Sequence, residues 1–211
     1  MAKISSLLLA ALCSSSLLAA ELQVVLQDAD GEPLSDAVVW VSPGPANTPA
    51  NAVMDQQQRA FMPYVLAVQR GTKVNFPNSD PINHHVYSFS PAKRFELRLH
   101  HQGQTAQSVT FEQAGLVTLG CNVHDWMLGF ILVLDSPWFA QTDANGHARL
   151  QYSPAEEQKL NLWHPQIADN EADLSRPLPT QGIARINLTQ PLKRDPRPKV
   201  PRKKLSGKGN Y

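Results

Sequence analysis

Short apolar segments, divided by turn-forming residues, are the feature that most limits what this chain can fold into. Residues 95–99 (Phe-Glu-Leu-Arg-Leu) alternate apolar and polar side chains, and residues 116–119 and 130–134 are similarly short. Alternation places the apolar side chains on one face of a strand. Seventeen prolines also interrupt the chain, and proline removes a backbone donor from helices and sheets. The sequence therefore predicts an all-β protein, in which residues 155–160 form at most one or two helical turns.

The expected strands fall into two groups along the chain. Between residues 54 and 134 about eight short strands follow one another, as in a Greek-key sandwich. A second group flanks the first, at residues 22–26, 37–41, 148–152, 160–165 and 184–188. Turn formers connect these flanking strands, as in Asp28-Ala-Asp-Gly-Glu-Pro-Leu34 and Thr142-Asp-Ala-Asn-Gly146.

An export signal is expected at residues 1–20. It has Lys3 near its start, an apolar run at 7–12, and a cleavage site at Ala19-Ala20. We therefore expect a mature chain that begins near Glu21 in the periplasm. Cys13 is removed with the signal, so Cys121 is left without an internal partner. An unpaired cysteine in an exported protein is intermolecular, reactive or bound to a metal.

The residues around Cys121 favour a metal. The stretch Gly-Cys-Asn-Val-His-Asp-Trp-Met at 120–127 spaces Cys121, His124 and Met127 as Cys-x2-His-x2-Met. About forty residues earlier, the adjacent His84 and His85 offer a second imidazole. Two histidines and a cysteine with a weak axial methionine form the ligand set of a blue-copper site. A zinc site more often shows four strong ligands, commonly with a second closely spaced pair.

These motifs resemble those of the cupredoxins, the family of plastocyanin and amicyanin. The resemblance implies one type 1 copper ion with His84, Cys121, His124 and Met127 as ligands. The gap between Asn78 and His84 also matches, which implies that the Asn78 side chain hydrogen-bonds to the ligand loop and holds it. His85 stands where the family usually has Asn and is the alternative ligand. Asn83 and Asp125 depart from the family, because many relatives carry proline there.

The flanking strands resemble the two halves of a small transthyretin-like or carboxypeptidase-regulatory-like β-sandwich. The expected division is a signal at 1–20, opening strands of the small sandwich at 21–44, a cupredoxin domain at 45–138, the remaining strands at 139–190, and a tail at 191–211. In this interpretation the small sandwich is split around the copper domain. In the alternative, residues 22–41 belong to the cupredoxin sheet and the later strands decorate it.

Over its whole length the chain resembles exported cupredoxin-like proteins commonly labelled methylamine utilization proteins. The shared stretches are Phe76–Asp80, His84–Pro91 and Cys121–Met127. The resemblance implies one-electron transfer between periplasmic redox partners, in amine oxidation, and an apolar patch to which Trp126, Leu128 and Phe130 contribute. Two other functions stay open: copper binding for delivery, and a β-sandwich interaction module with a vestigial metal site. An enzyme is the least favoured reading, because catalytic metals keep an open position.

The last 21 residues differ in charge from the rest of the chain. Residues 191–211 carry eight Lys and Arg residues against Asp195, a net charge of +7, whereas residues 21–190 carry ten basic and seventeen acidic residues, a net charge of −7. A basic, proline-rich segment is typical of disorder. It could serve only solubility, or it could dock to an acidic partner or an anionic lipid surface. Nucleic acid is not expected as a partner of an exported protein.

Overall fold

The computed structural model describes residues 19–45, 50–99, 105–167, 175–179, 182–195 and 197. The expected signal lies outside these ranges except for its last two residues, and so does most of the expected tail. The described ranges contain no helix, and therefore none that is long and apolar enough to cross a membrane.

The described chain is all-β, as the sequence predicts. Its strands are β1 (Ala20–Gln27), β2 (Val38–Ser42), β3 (Asn51–Val53), β4 (Asp55–Gln57), β5 (Ala60–Met62), β6 (Val65–Gln69), β7 (Thr72–Phe76), β8 (His84–Ser88), β9 (Phe95–Leu99), β10 (Gln107–Phe111), β11 (Gly115–Cys121), β12 (Leu128–Leu134), β13 (Phe139–Gln141), β14 (His147–Tyr152), β15 (Lys159–Trp163), β16 (Ser175–Pro177) and β17 (Ile183–Asn187). The helical turns expected at residues 155–160 do not form. That segment is a turn with Glu157 at a positive φ of 62°, and it leads directly into β15.

Two sheets enclose the first core, and we call this pair the flanking sandwich. One sheet has the order β14-β1-β17 and the other the order β13-β2-β15-β16. Leu22, Val24 and Leu26 are buried on one face of β1, because alternate side chains of a strand point to opposite faces. They meet Leu160 and Leu162 of β15 in one apolar cluster. Burial of each such side chain contributes roughly 1.5–3 kcal/mol to the stability of the folded state.

Two further sheets enclose the second core, and we call this pair the central sandwich. Their orders are β10-β7-β3 and β6-β12-β11-β8-β9. Phe76, Phe111, Val117 and Ile131 lie in this core together with Cys121. The sandwich therefore buries the cysteine of the predicted metal motif in the same apolar cluster that holds its sheets together.

A third apolar cluster joins the two sandwiches. β12 is buried along nearly its whole length, because its two faces pack against different partners. Ile131 and Val133 point into the central core, whereas Phe130, Leu132 and Leu134 pack with Val38 and with Trp40, Phe139 and Trp163 of the flanking sandwich. A continuous apolar run is what a strand covered on both faces requires.

The strand pairing separates the two groups that the sequence suggests. Among the described strands, β1 and β2 pair with strands from residues 139–187 and not with the strands between them. In the alternative interpretation, residues 22–41 would extend the cupredoxin sheet, and the observed strand pairing differs from that arrangement. The division into domains with boundaries near residues 44, 138 and 190 remains our proposal.

Candidate metal centre

Three potential ligand atoms converge at one end of the central sandwich. The ligand atoms of His84, Cys121 and His124 all lie within 4.8 Å of one another. Cys121 Sγ lies 3.7 Å from His84 Nδ1 and 3.8 Å from His124 Nδ1. The His84 and His124 rings have centroids 5.0 Å apart. Residues that are distant in sequence thus offer one sulfur and two imidazole nitrogens to a single point.

Strand register brings His84 and Cys121 together. β8 begins at His84 and β11 ends at Cys121, and the two strands are antiparallel with Cys121 opposite Val86. In β8, His84, Val86 and Ser88 are buried, whereas the residues between them are less so. Residues two apart share a face, so Cys121 and His84 reach the same side of the sheet.

The loop after Cys121 supplies the other two predicted ligands. The Met127 backbone N–H donates to the His124 carbonyl at 2.9 Å and closes a tight turn. Met127 is buried beside Cys121 in the central core. The pKa of His124 lies below its ordinary value because of burial and, to a lesser extent, the electrostatic influence of His84 and Arg59. A neutral imidazole is the form that binds a metal.

Asp80 orients the His84 ring. Its Oδ2 accepts from His84 Nε2 at 2.9 Å, and the His84 side chain is fully buried. With Nε2 carrying this proton, Nδ1 is left as the acceptor that faces Cys121. Carboxylates commonly fix the tautomer and orientation of metal-binding histidines in this way. The role of Asp80 is not evident from the sequence, because nothing in the local pattern shows which ring its carboxylate reaches.

The Asp80 carboxylate is itself held by a turn far away in the sequence. The backbone N–H groups of Gln58 and Arg59 donate to it at 2.6 and 2.9 Å. Burial raises the pKa of Asp80, but these backbone bonds and the His84 bond outweigh it and hold the pKa below its usual range. Asp80 therefore stays a charged acceptor for His84 at neutral pH.

The turn that holds Asp80 is conformationally unusual. Gln58 and Arg59 connect β4 and β5 with positive φ values of 54° and 59°. Two-residue hairpins require this conformation and normally use glycine or asparagine for it. The Gln-Gln-Gln-Arg sequence gives no such signal, so sequence reasoning missed this hairpin. The two bonds to Asp80 help to stabilise a turn that its own residues disfavour.

Asn78, which the family resemblance assigned to holding the ligand loop, shapes the segment before His84. Its Nδ2 donates to the Ile82 carbonyl at 2.7 Å, and its Oδ1 accepts from the Asp80 backbone N–H at 3.0 Å. These bonds place Asp80 near His84. The expected bond from Asn78 to the ligand loop remains a prediction.

His85, the alternative ligand, lies on the other face of β8. Its Nε2 lies 2.7 Å from Glu96 Oε1 on β9, and its Nδ1 lies 3.5 Å from Asn122 Nδ2. It does not belong to the cluster of His84, Cys121 and His124. The structure thus places His84 at the predicted centre and engages His85 with a neighbouring strand.

Of the three residues expected in an apolar patch beside the ligand loop, one is buried in the structure. Trp126 is 50% exposed, and its ring centroid lies 5.3 Å from that of His124. Leu128 is half-buried. Phe130 is buried, contrary to expectation, because its ring packs against Tyr64 and Trp163 where the two sandwiches meet.

The spacing of the donor atoms suits a metal ion bound between them. In a zinc site, sulfur and nitrogen donors at about 2.3 and 2.0 Å from the ion, with about 120° between them, would lie about 3.7 Å apart. The two observed sulfur–nitrogen distances are 3.7 and 3.8 Å. A soft thiolate, two imidazoles and a buried thioether nearby are the donor types that suit copper in both oxidation states.

Comparison with known proteins finds similarity among solved structures and not among family models or curated proteins. No protein-family model matches the chain, and no curated protein matches it. Among solved structures, the chain is similar to a purple cupredoxin from Nitrosopumilus maritimus, with 22% identity and a TM-score of 0.35 over 39% of this chain and 99% of that one. It is also similar to a reduced tryptophan-to-tyrosine variant of amicyanin, with 26% identity and a TM-score of 0.35 over 39% of this chain and 80% of that one. With such low TM-scores these likenesses carry no weight by themselves, and the copper interpretation rests on the ligand atoms.

Proposed function

We propose that this protein binds one copper ion through His84, Cys121, His124 and Met127 and transfers single electrons. The observation that carries the proposal is the convergence of Cys121 Sγ with two histidine Nδ1 atoms at distances that suit one ion. A bound copper supplies a one-electron couple between Cu(I) and Cu(II). The protein supplies a fixed ligand set and a mostly buried environment.

The residues of the centre divide the remaining tasks. Cys121 offers a soft thiolate and is only 3% exposed, so water has little access to the sulfur. Asp80 holds His84 in one tautomer, which limits rearrangement between the two oxidation states. His124 is less buried than His84 and lies against the half-exposed Trp126. We propose that electrons enter and leave through this edge.

The biological setting is part of the proposal. The expected signal at residues 1–20 favours export to the periplasm, where a redox protein would be the partner. The resemblance to proteins labelled methylamine utilization proteins favours a place in amine oxidation. The basic residues after 190 favour docking to an acidic partner or an anionic lipid surface. We further propose that the protein is not an enzyme, since its ligands would close the metal site.

The absorption spectrum of the mature protein with one equivalent of Cu(II) tests the proposal. We expect an intense visible thiolate-to-copper band that bleaches when a reductant is added. Cys121→Ser should abolish the band, and His124→Ala should lose it. His85→Ala is the matched control and should keep it, because His85 contacts Glu96 instead of the centre.

Two results would contradict the proposal. A protein that stays colourless with Cu(II) but takes up Cu(I) would indicate copper delivery instead of electron transfer. A visible band that survives in the Cys121→Ser variant would show that the thiolate is not a ligand.

A further inference from the structure

A groove of about 490 Å³ lies directly beside the metal loop. Its first wall is the β4–β5 hairpin, including Arg59 and Met62, and its second wall is the loop segment Trp126–Leu128. Tyr64 and Arg197 form the third wall. Sites for small molecules in proteins are typically concave, mostly apolar and of this size.

Tyr64 is a buried and rigidly held residue of the groove wall. Tyr64 is only 9% exposed, and its hydroxyl makes no hydrogen bond within the described part of the chain. Leaving such a group unsatisfied costs about 1–3 kcal/mol. The ring of Tyr64 is fixed between Phe130 and the Arg197 guanidinium, whose carbon lies 4.3 Å from the ring centroid. The hydroxyl itself is enclosed, so Tyr64 contributes a fixed aromatic wall to the groove.

The groove also offers a free cation. The Arg197 guanidinium donates hydrogen bonds to the carboxylates of Asp195 and Asp36. The Arg59 guanidinium, by contrast, makes no hydrogen bond or ion pair with any described residue. Its backbone N–H is bonded to Asp80, so the residue is anchored while its charge stays available. An anionic group on the ligand would complement this charge.

The rest of the lining favours an aromatic body. Trp126 and Met62 are 50% and 49% exposed, and both line the groove. Exposed apolar side chains that line a groove can contribute to a ligand-binding site. An aromatic ring can stack on the indole of Trp126 and contact the thioether of Met62. Charge and apolar surface therefore point to the same class of compound.

We propose that this groove binds a small aromatic carboxylate. The carboxylate pairs with Arg59, and the ring lies against Trp126. The ligand then contacts the loop that carries Met127, and the hairpin on its other side is bonded through Asp80 to His84. Occupancy of the groove is thus physically connected to the metal centre.

Calorimetric titration of the copper-free mature protein with 2-naphthoate tests this site, with the neutral isostere 2-naphthamide as the matched ligand. We expect saturable binding of naphthoate that weakens about tenfold in Arg59→Gln, the loss expected for one charge-assisted bond. Naphthamide binding should change less than about twofold in the same variant, since no charge pair is lost. Trp126→Ala should weaken the binding of both compounds, because each loses the surface on which its ring stacks.

Arg149→Gln is the charge-matched control, because Arg149 is exposed on β14 of the flanking sandwich. It should bind naphthoate like the unchanged protein. No saturable binding up to about 5 mM, far weaker than an ordinary ligand site, would overturn the proposal, and so would equal weakening by Arg59→Gln and Arg149→Gln. Because the titration uses copper-free protein, its failure is distinct from failure of the copper proposal.

Discussion

The buried imidazole of His164 makes the stability of the protein depend on pH. The residue follows β15 and is 3% exposed. Its Nδ1 accepts from the Gln166 backbone N–H at 3.2 Å, an acceptor role that only the neutral ring can fill. Burial is the main reason that the pKa of His164 falls from 6.5 to about 4. The positive charge of Arg197 acts in the same direction.

Neighbouring groups oppose this lowering without reversing it. The carboxylates of Asp36 and Asp195 and a hydrogen bond to the Ser35 backbone favour the charged ring. The folded-state pKa nevertheless lies below the unfolded-state pKa of 6.5, so the unfolded chain binds a proton first as the pH falls. The stability contributed by neutral His164 is therefore complete above about pH 6.5 and is lost as the pH falls towards about 4.

The magnitude follows from this pKa difference. At about 1.4 kcal/mol per pKa unit, the full loss is about 3 kcal/mol, of which about 2 kcal/mol falls between about pH 7 and about pH 5. His164→Gln removes the titration but keeps a polar side chain. We expect the free energy of unfolding of the unchanged protein to fall about 2 kcal/mol further than that of the variant over this interval.

Urea denaturation of the copper-free protein under reducing conditions measures both free energies at each pH. The other titrating groups are common to the two proteins, so the difference between the curves isolates His164. Curves that stay parallel within about 0.5 kcal/mol between about pH 5 and about pH 7 would refute the reasoning, because they would mean that the folded protein accepts the proton as easily as the unfolded chain does.

Two further perturbations follow from the packing and from the metal centre. Asp80→Asn should lower copper affinity about 10- to 100-fold, as loss of a group that orients a metal-binding histidine typically does. Competition with a chelator measures the affinity. The control Asp135→Asn, at an exposed carboxylate, should bind copper like the unchanged protein. Leu160→Ala, at a side chain that is 1% exposed, should lower the free energy of unfolding by about 2–5 kcal/mol. Lys159→Ala, at the exposed neighbour, should change it by less than about 0.5 kcal/mol, and similar losses in both variants would contradict the assigned core.

Most strands could be predicted because their pattern is local. The alternation at residues 22–26 and 148–152 and the apolar run at 130–134 all became strands. The short strands β3, β4, β5, β13 and β16 were not predicted, since three residues are too few to show a period. Their positions depend on partners that are distant in the chain.

The sequence by itself determined the all-β class and the grouping of Cys121, His124 and Met127, because alternation and a short loop act over a few residues. Only the tertiary structure shows that His84, and not His85, lies beside Cys121 and His124. A strand has a fixed period of two, but its pairing partners decide which face points to the core. The contacts of Asp80 with the β4–β5 hairpin and of Tyr64 with Arg197 likewise join residues that are separated in sequence. Only the folded chain brings them together.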